Sequence, residues 1–112
     1  MRLPRAEESV VPQRKVEDYL LNPAHRVGAA KARFFGHFGF SREHWETLAQ
    51  ALREHGCANP VATSFRDDDG ETFVVEGPLQ SPSGRSPRVR SVWLLESGAL
   101  APRFITAYPL DE

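Results

Sequence analysis

The spacing of apolar residues changes at Gly56, and this change constrains the fold more than any other feature of the sequence. Before Gly56 the apolar residues recur at three- and four-residue intervals, as in Trp45, Leu48 and Leu52, which is the pattern of helices that bury one face. After Gly56 apolar and polar residues alternate, which is the pattern of half-buried strands. The sequence therefore predicts an α+β fold, with helices first and strands second.

Three helices are expected before the change of period. The first begins near Pro12, has Val16, Tyr19 and Leu20 as its apolar stripe, and ends at Asn22-Pro23, because a residue that precedes proline avoids the helical region. The other two are expected over residues 28–37 and 41–56. The stripes of these two helices are predicted to pack against one face of the sheet through Phe34, Phe38, Trp45, Leu48 and Leu52.

Four strands are expected to form an antiparallel meander on which the helices pack. They are predicted over residues 61–66, 71–79, 88–96 and 103–108. The sequence Asp67-Asp68-Asp69-Gly70 is a hairpin turn signal, and Pro82-Ser83-Gly84 and Ser97-Gly98 mark the next two connections. One domain is expected over residues 1–112, made of an N-terminal extension 1–10, a helical part 12–56 and a sheet 59–109.

Composition excludes several classes of function. The 112 residues include 14 basic and 15 acidic side chains, and a net charge of -1 argues against a protein that coats nucleic acid non-specifically. The single Cys57 excludes an internal disulfide and a cysteine-rich zinc site. No apolar run approaches the roughly 20 residues of a membrane span, and residues 1–8 have no apolar segment typical of a signal peptide. A cytoplasmic protein without membrane attachment is therefore expected.

The charge is unevenly distributed along the chain. Residues 57–80 contain one basic and five acidic side chains, a balance of -4, whereas residues 81–108 contain four basic and one acidic, a balance of +3. A solvated surface explains both segments, and complementary binding partners are the alternative. The three consecutive aspartates lack the spacing of a calcium loop, and no histidine–carboxylate set completes a metal site. No metal or cofactor is expected.

Two arginines interrupt the apolar pattern of the third predicted strand. Arg88 and Arg90 share one strand face, whereas Ser91 and Trp93 occupy the other. If the helices cover one face of the sheet, the arginines lie on the open face, where a guanidinium group can hold a phosphate through paired hydrogen bonds. The alternative is that they extend over exposed sheet surface without a ligand.

The last predicted strand carries two further polar residues, Thr106 and Tyr108. Alternation places them on one face together with Phe104. They are candidates for contacts with a ligand on the open part of the sheet. Packing of Tyr108 at a sheet edge is the alternative.

His25 and Lys31 form a third candidate group. Lys31 stands in the first turn of the second helix, where a cation is unfavourable beside the positive end of the helix dipole unless an anion binds there. An exposed loop histidine without function is the alternative for His25. His55 is assigned to no site, because its position near the C-terminus of the third helix is explained by the helix dipole.

The chain also resembles a known protein family over nearly its whole length. The residues that carry the resemblance are Leu3-Pro4, Val11-Pro12, Lys15, Asp18-Tyr19-Leu20-Leu21-Asn22-Pro23-x-His25, Gly28-x-x-Lys31-Ala32-x-Phe34-Phe35, Gly39-Phe40, Val75-Glu76-Gly77-Pro78, Gly84-Arg85, Val89-Arg90-Ser91-Val92-Trp93 and Pro102-Arg103-Phe104-Ile105-Thr106-Ala107-Tyr108-Pro109. This uncharacterised bacterial domain family is similar to the C-terminal toxin domains of polymorphic toxins, and its members also occur alone beside a small antitoxin. The resemblance implies the barnase–EndoU–colicin–RelE fold, in which metal-independent ribonucleases recur.

The resemblance implies a metal-independent endoribonuclease toxin of a toxin–antitoxin or polymorphic toxin system, which cleaves RNA such as tRNA or mRNA by attack of the 2′-hydroxyl group. That reaction needs a base, an acid and a cation. His25 is expected to act as base or acid, and Lys31 and Arg90 to stabilise the transition state. Thr106 and Tyr108 are expected to orient the phosphate or donate a proton. The residues expected to bind the substrate are Arg88, Ser91 and Arg103.

Two other functions stay open at this point. The first is a non-enzymatic protein-binding partner of the antitoxin or immunity type, which needs only a complementary surface such as the acidic segment 57–80. The second is an inactive relative that binds RNA without cutting it. A toxin is expected to arrest growth when it is expressed and to have a small cognate antitoxin as its protein partner, whereas a binding protein is expected to be harmless.

Overall fold

In a computed structural model, which describes residues 1–110, the α+β class is confirmed. Helix α1 begins as an α-helix over Gln13–Lys15 and continues as a π-helix over Val16–Leu20. Helix α2 covers Ala29–His37, and helix α3 covers Trp45–Ala58. Two short 3-10 turns, Ala6–Glu8 and Arg42–His44, precede α1 and α3. The expected domain extends to residues 111 and 112, which lie outside the described part.

The strands form one antiparallel sheet in the order β1-β2-β3-β4, which is the expected meander. Their bounds are Val61–Asp67, Gly70–Pro78, Arg88–Glu96 and Arg103–Pro109. The β1–β2 turn requires glycine at position 70, because its φ is 143° and a Cβ atom there would collide with the carbonyl oxygen of Leu95. The hairpin signal in the sequence therefore marks the connection correctly.

The core lies between the helices and one face of the sheet. Leu48 and Leu52 of α3 are fully buried, as expected, but Phe34, Phe38 and Trp45 are only partly buried at its margin. In α2 the fully buried aromatic residue is Phe35. Residues 34, 35 and 38 belong to one broad apolar stripe, and the periodicity of a stripe this wide does not tell which residue lies at its centre.

The face predicted for Phe104 is wrong, and a β-bulge is the reason. Val92 pairs with Thr106 and Trp93 pairs with Phe104, so Ile105 is an extra residue in β4. Beyond a bulge the alternation of side chains shifts by one position. Phe104 therefore faces the core, whereas Thr106 lies on the other face of the sheet, called the open face below, at the β4 edge that the Tyr19 side chain of α1 reaches.

A buried hydrogen-bonded chain links α3 to the sheet through His55. Trp93 Nε1 donates to Ser91 Oγ at 2.8 Å, and Ser91 Oγ donates to His55 Nδ1 at 2.8 Å. His55 Nε2 donates to the carbonyl oxygens of Gly77 and Val89, both at 3.0 Å. All these polar atoms are satisfied when His55 is neutral with its proton on Nε2. His55, whose position the sequence analysis explained by the helix dipole, is thus a part of the core.

Stability should decrease in mild acid because of His55. Burial lowers the pKa of His55 below its usual 6.5, although the carbonyl oxygens of Gly77 and Val89 partly oppose this shift. Below about pH 6.5 the unfolded chain binds a proton that the folded chain does not, so the free energy of unfolding falls as the pH falls towards the folded pKa. Urea denaturation at about pH 7.5 and about pH 5 measures this difference, which should be smaller in His55→Gln. An equal difference in parent and variant would contradict it.

None of the helices within residues 1–110 is both long and apolar enough to cross a membrane.

Candidate functional site

A surface cleft of about 640 Å³ opens between α1, the loop that follows it, and the bulged part of β4. The residues that line it are Arg14, Lys15, Asp18, Tyr19, His25, Val27, Ile105 and Thr106. The cleft contains three of the residue types needed to bind and activate a phosphate: cations, hydroxyl groups and an imidazole. It includes two residues of the sequence-predicted site, His25 and Thr106.

Tyr19 lies at the centre of the cleft. Its hydroxyl group is 3.1 Å from Thr106 Oγ1, a hydrogen bond that joins α1 to β4. The ammonium nitrogens of Lys15 and Lys31 lie 5.7 and 5.5 Å from the centre of its ring, within range of cation–π attraction. One tyrosine therefore holds two cations and one hydroxyl group together. The sequence interpretation assigned Tyr19 to the apolar stripe of the first helix and missed this role.

The loop after α1 fixes the orientation of His25. The backbone N–H groups of Val27 and Gly28 both donate to His25 Nδ1 at 3.0 Å. Since Nδ1 accepts these hydrogen bonds, the ring proton is on Nε2, and Nε2 has no hydrogen-bond partner among residues 1–110. The His25 ring meets Tyr19 edge-on, with 5.1 Å between the ring centres. Gly28 is required here, because a Cβ atom would collide with the Tyr19 carbonyl oxygen.

The cleft has an excess of positive charge. Arg14, Lys15 and Lys31 surround it, and its one acidic lining residue, Asp18, forms an ion pair with Arg42 at 3.0 Å. An anionic ligand is therefore favoured over a cation. In the part of the chain that the structure describes, no group of three or more histidine, cysteine, aspartate or glutamate side chains is arranged to hold a metal ion.

Arg90 and Tyr108 form a second group on the open face. Arg90 Nε donates to Glu76 Oε2 at 2.7 Å, and its guanidinium carbon lies 5.5 Å from the centre of the Tyr108 ring. Hydrogen bonds to Tyr108 and Glu76 raise the pKa of Arg90 further above its usual value, so the residue stays charged. Glu76 therefore already occupies part of the donor surface that a phosphate would need.

The two groups are neighbours along β4. Arg90 pairs with Tyr108 and Val92 pairs with Thr106, so the groups are two residues apart along the strands, which corresponds to about 7 Å. The structure thus brings His25, Lys31 and Thr106 around Tyr19, and it places Arg90 and Tyr108 beside them.

The three residues expected to bind substrate have different surroundings. Arg88 is exposed at the start of β3. Arg103 is the first residue of β4, far from Tyr108, and forms an ion pair with Glu96 at 3.0 Å. Ser91 is fully buried in the chain of hydrogen bonds through His55. A substrate cannot reach its hydroxyl group, so the expectation for Ser91 is wrong.

Comparison with known proteins adds a family and a fold. The sequence matches the family described as "Domain of unknown function (DUF6883)" over residues 2–111. No curated protein sequence matches it. The structure is similar to a chain of the "Contact-dependent growth inhibition toxin - immunity protein complex from Klebsiella pneumoniae 342", with a TM-score of 0.73 and 19% sequence identity over 96% of this chain and 97% of that chain. The two chains therefore share a fold, and by its sequence the chain belongs to the DUF6883 family.

Proposed function

We propose that this chain is a toxin domain that cleaves RNA without a metal ion, by attack of a 2′-hydroxyl group on the neighbouring phosphate. The observation that carries the proposal is the cleft in which Lys15, Lys31, His25 and Thr106 surround Tyr19. The fold shared with a chain of a toxin–immunity complex supports it. A small cognate protein that neutralises the toxin is part of the proposal.

The cations of the cleft supply the electrostatic part of the reaction. Attack on the phosphate produces a pentacovalent species that carries more negative charge than the starting diester. Ammonium groups held in place before the reaction stabilise such a species more than the substrate. Lys15 and Lys31 have this position around Tyr19. Their local positive potential also attracts RNA, despite the net charge of -1 of the whole chain.

His25 is proposed to act as a neutral hydrogen-bond donor rather than as a base. A base needs a free ring nitrogen with a lone pair, but His25 Nδ1 already accepts two backbone N–H groups. The remaining Nε2 carries the ring proton and has no partner among residues 1–110, so it can donate to a non-bridging phosphate oxygen. This geometry excludes the base role that the sequence left open for His25. As the bond from the 2′-oxygen to phosphorus forms and the bond to the 5′-oxygen breaks, water is proposed to accept the 2′-hydroxyl proton, and the ammonium group of Lys15 or Lys31 to donate a proton to the leaving 5′-oxygen.

The remaining residues are assigned by position. The hydroxyl groups of Tyr19 and Thr106 form a pair at the floor of the cleft and are proposed to orient the phosphate. Arg90 and Tyr108 are proposed to bind the phosphate and base of a flanking nucleotide, since the open face continues from Thr106 to Tyr108. Arg88 extends this face at the start of β3. A phosphate that binds Arg90 has to displace Glu76.

The test combines growth and cleavage. Induced expression should arrest growth, and purified protein should cleave total RNA and tRNA in excess EDTA, leaving 2′,3′-cyclic phosphate ends. The double variant Lys15→Ala/Lys31→Ala should lose cleavage, whereas the control Arg66→Ala removes an exposed cation far from the cleft and should keep it. Loss of cleavage in EDTA, or equal activity of the two variants, would contradict the proposal.

A non-enzymatic, immunity-type binding protein is the second candidate function. It is favoured by β1, whose residues are largely exposed and which ends in the acidic turn Asp67-Asp68-Asp69. Harmless expression at high level and absence of RNA cleavage would support this candidate over the toxin. Binding of RNA without cleavage would instead indicate the inactive RNA-binding relative.

A further inference from the structure

Strand β1 is unusually exposed for a strand of a small domain. None of its seven residues is buried, and five are exposed. Phe65, in the middle of the strand, is 55% exposed. Since β1 lies at the end of the sheet and, within residues 1–110, β2 is its only partner strand, its outer edge presents backbone N–H and C=O groups to solvent. Val61 at the start of β1 packs against the core, but Phe65 has no such packing.

The opposite edge of the sheet is protected, which makes β1 stand out. Beside β4, Val10 N donates to the Pro102 carbonyl oxygen at 2.9 Å, and Phe104 N donates to the Val10 carbonyl oxygen at 2.8 Å. The bulge at Ile105 further interrupts the β4 edge. Within residues 1–110 the corresponding features of β1 lie at its start, where Val61 N donates to the Met1 carbonyl oxygen at 2.7 Å and the register shifts between Val61 and Thr63. Residues 63–67 are left for pairing with another strand.

The charge next to this edge selects the partner. Arg66 forms an ion pair with Glu71 at 3.0 Å, whereas none of the ion pairs within residues 1–110 involves Asp67, Asp68 or Asp69. Asp67 Oδ1 instead accepts the backbone N–H of Asp69 and closes the turn. The edge thus ends in three exposed carboxylates, and these attract a basic chain and repel an acidic one.

We propose that the outer edge of β1 binds an extended, basic segment of a partner protein, which adds a fifth strand to the sheet. Backbone hydrogen bonds to residues 63–67 would hold the segment, an apolar side chain would cover Phe65, and lysine or arginine side chains would reach Asp67-Asp68-Asp69. The Tyr19 cleft lies at the other edge, about 14 Å away across the four strands. The partner therefore leaves the cleft accessible, and the inference does not depend on RNA cleavage.

A peptide titration followed by amide resonances tests the surface. The probe is a capped seven-residue peptide in which lysine and valine alternate. It should shift the amide signals of residues 62–69, and the shifts should weaken as salt is raised. A peptide with glutamate in place of lysine should bind at least about fivefold more weakly, and a peptide N-methylated on alternate residues should not bind, because it cannot pair along the edge.

Matched variants assign the binding to this edge. The double variant Asp68→Lys/Asp69→Lys should reverse the preference, so that the glutamate peptide binds more tightly than the lysine peptide. Phe65→Ser should weaken binding, whereas Leu100→Ser, which changes a residue that is 78% exposed in the β3–β4 connection, should not.

Three results would overturn the proposal. The first is equal binding of the N-methylated peptide. The second is a set of shifts centred elsewhere, either on the acidic groove beside α3 that Glu46 and Glu54 line, or on the Tyr19 cleft. The third is self-association of the chain through β1 in sedimentation experiments, because the edge would then belong to a second copy of this chain rather than to another protein.

Discussion

His25→Ala is expected to lower the rate of RNA cleavage by about 100-fold or more, the scale on which the loss of one donor to a developing anion is measured. The variant removes the Nε2 donor, and it also leaves the N–H groups of Val27 and Gly28 without their acceptor. The measurement is single-turnover cleavage of tRNA by purified protein in EDTA. Circular dichroism and thermal unfolding should show that the variant is folded.

His25→Asn separates a neutral donor from an acid–base catalyst. Asparagine offers an oxygen that can accept the loop N–H groups and an N–H₂ group that can donate, but it does not titrate. It should therefore be more active than His25→Ala and keep the pH dependence of the parent. His44→Ala is the matched control, because His44 is exposed and Ser41 is the one hydrogen-bond partner of its ring within residues 1–110.

Two outcomes would contradict this assignment. The first outcome is that His25→Asn is as inactive as His25→Ala and that the activity of the parent changes over the pH range in which a histidine side chain gains or loses a proton. His25 would then act in proton transfer. If His25→Ala cleaves as fast as the parent, the cleft is not the site of cleavage, even if the protein is a nuclease.

Trp93→Ala is expected to lower the free energy of unfolding by about 3–5 kcal/mol, the range for truncation of a large buried aromatic residue. Trp93 is fully buried, packs edge-on against Phe104 with 5.5 Å between the ring centres, and donates to Ser91. Since many small domains have a stability of about 5–15 kcal/mol, this loss can unfold much of the protein at growth temperature. Urea denaturation measures it.

Two further substitutions identify the cause of that loss. Trp93→Phe keeps most of the ring but removes the donor to Ser91, so it should cost less, with a hydrogen-bond contribution of about 1 kcal/mol. Trp45→Ala should also cost less than Trp93→Ala, because Trp45 is only partly buried at the margin of the core. Equal losses for Trp45→Ala and Trp93→Ala would show that the core is not centred on Trp93.

Some of the candidate site could be predicted from the sequence. His25, Lys31 and Thr106 stood out because polar residues there lacked an explanation as core, and the structure places them around one tyrosine. Tyr19 and Lys15 did not stand out, because an aromatic residue in the stripe of an amphipathic helix is usually a core residue. Tyr19 is positioned by the π-helical continuation of α1 and by the hydrogen bond from its hydroxyl group to Thr106, 87 positions later. The local spacing of residues does not predict that contact.

His55 and Ser91 show the opposite case, in which a polar residue belongs to the core. By sequence, a histidine near a helix end is an ordinary surface residue, whereas alternation already placed Ser91 on the strand face of Trp93, opposite the arginines. The burial of His55 depends on Ser91 and on the carbonyl oxygens of Gly77 and Val89, and the pattern of side chains does not predict these backbone partners. A buried polar group is stable only when all its partners are in place, and those partners come from three separate elements.

By itself, the sequence determined the α+β class, the order of the elements and the antiparallel meander of this protein, because the period of apolar residues and the turn residues are local properties of the chain. Only the tertiary structure decided which aromatic residue lies at the centre of the core, which face Phe104 takes, and which cations meet at Tyr19. These outcomes depend on one bulged residue, Ile105, and on contacts between distant segments. Such contacts depend on the packing and hydrogen bonding of the whole chain, and the local periodicity of apolar residues does not predict them.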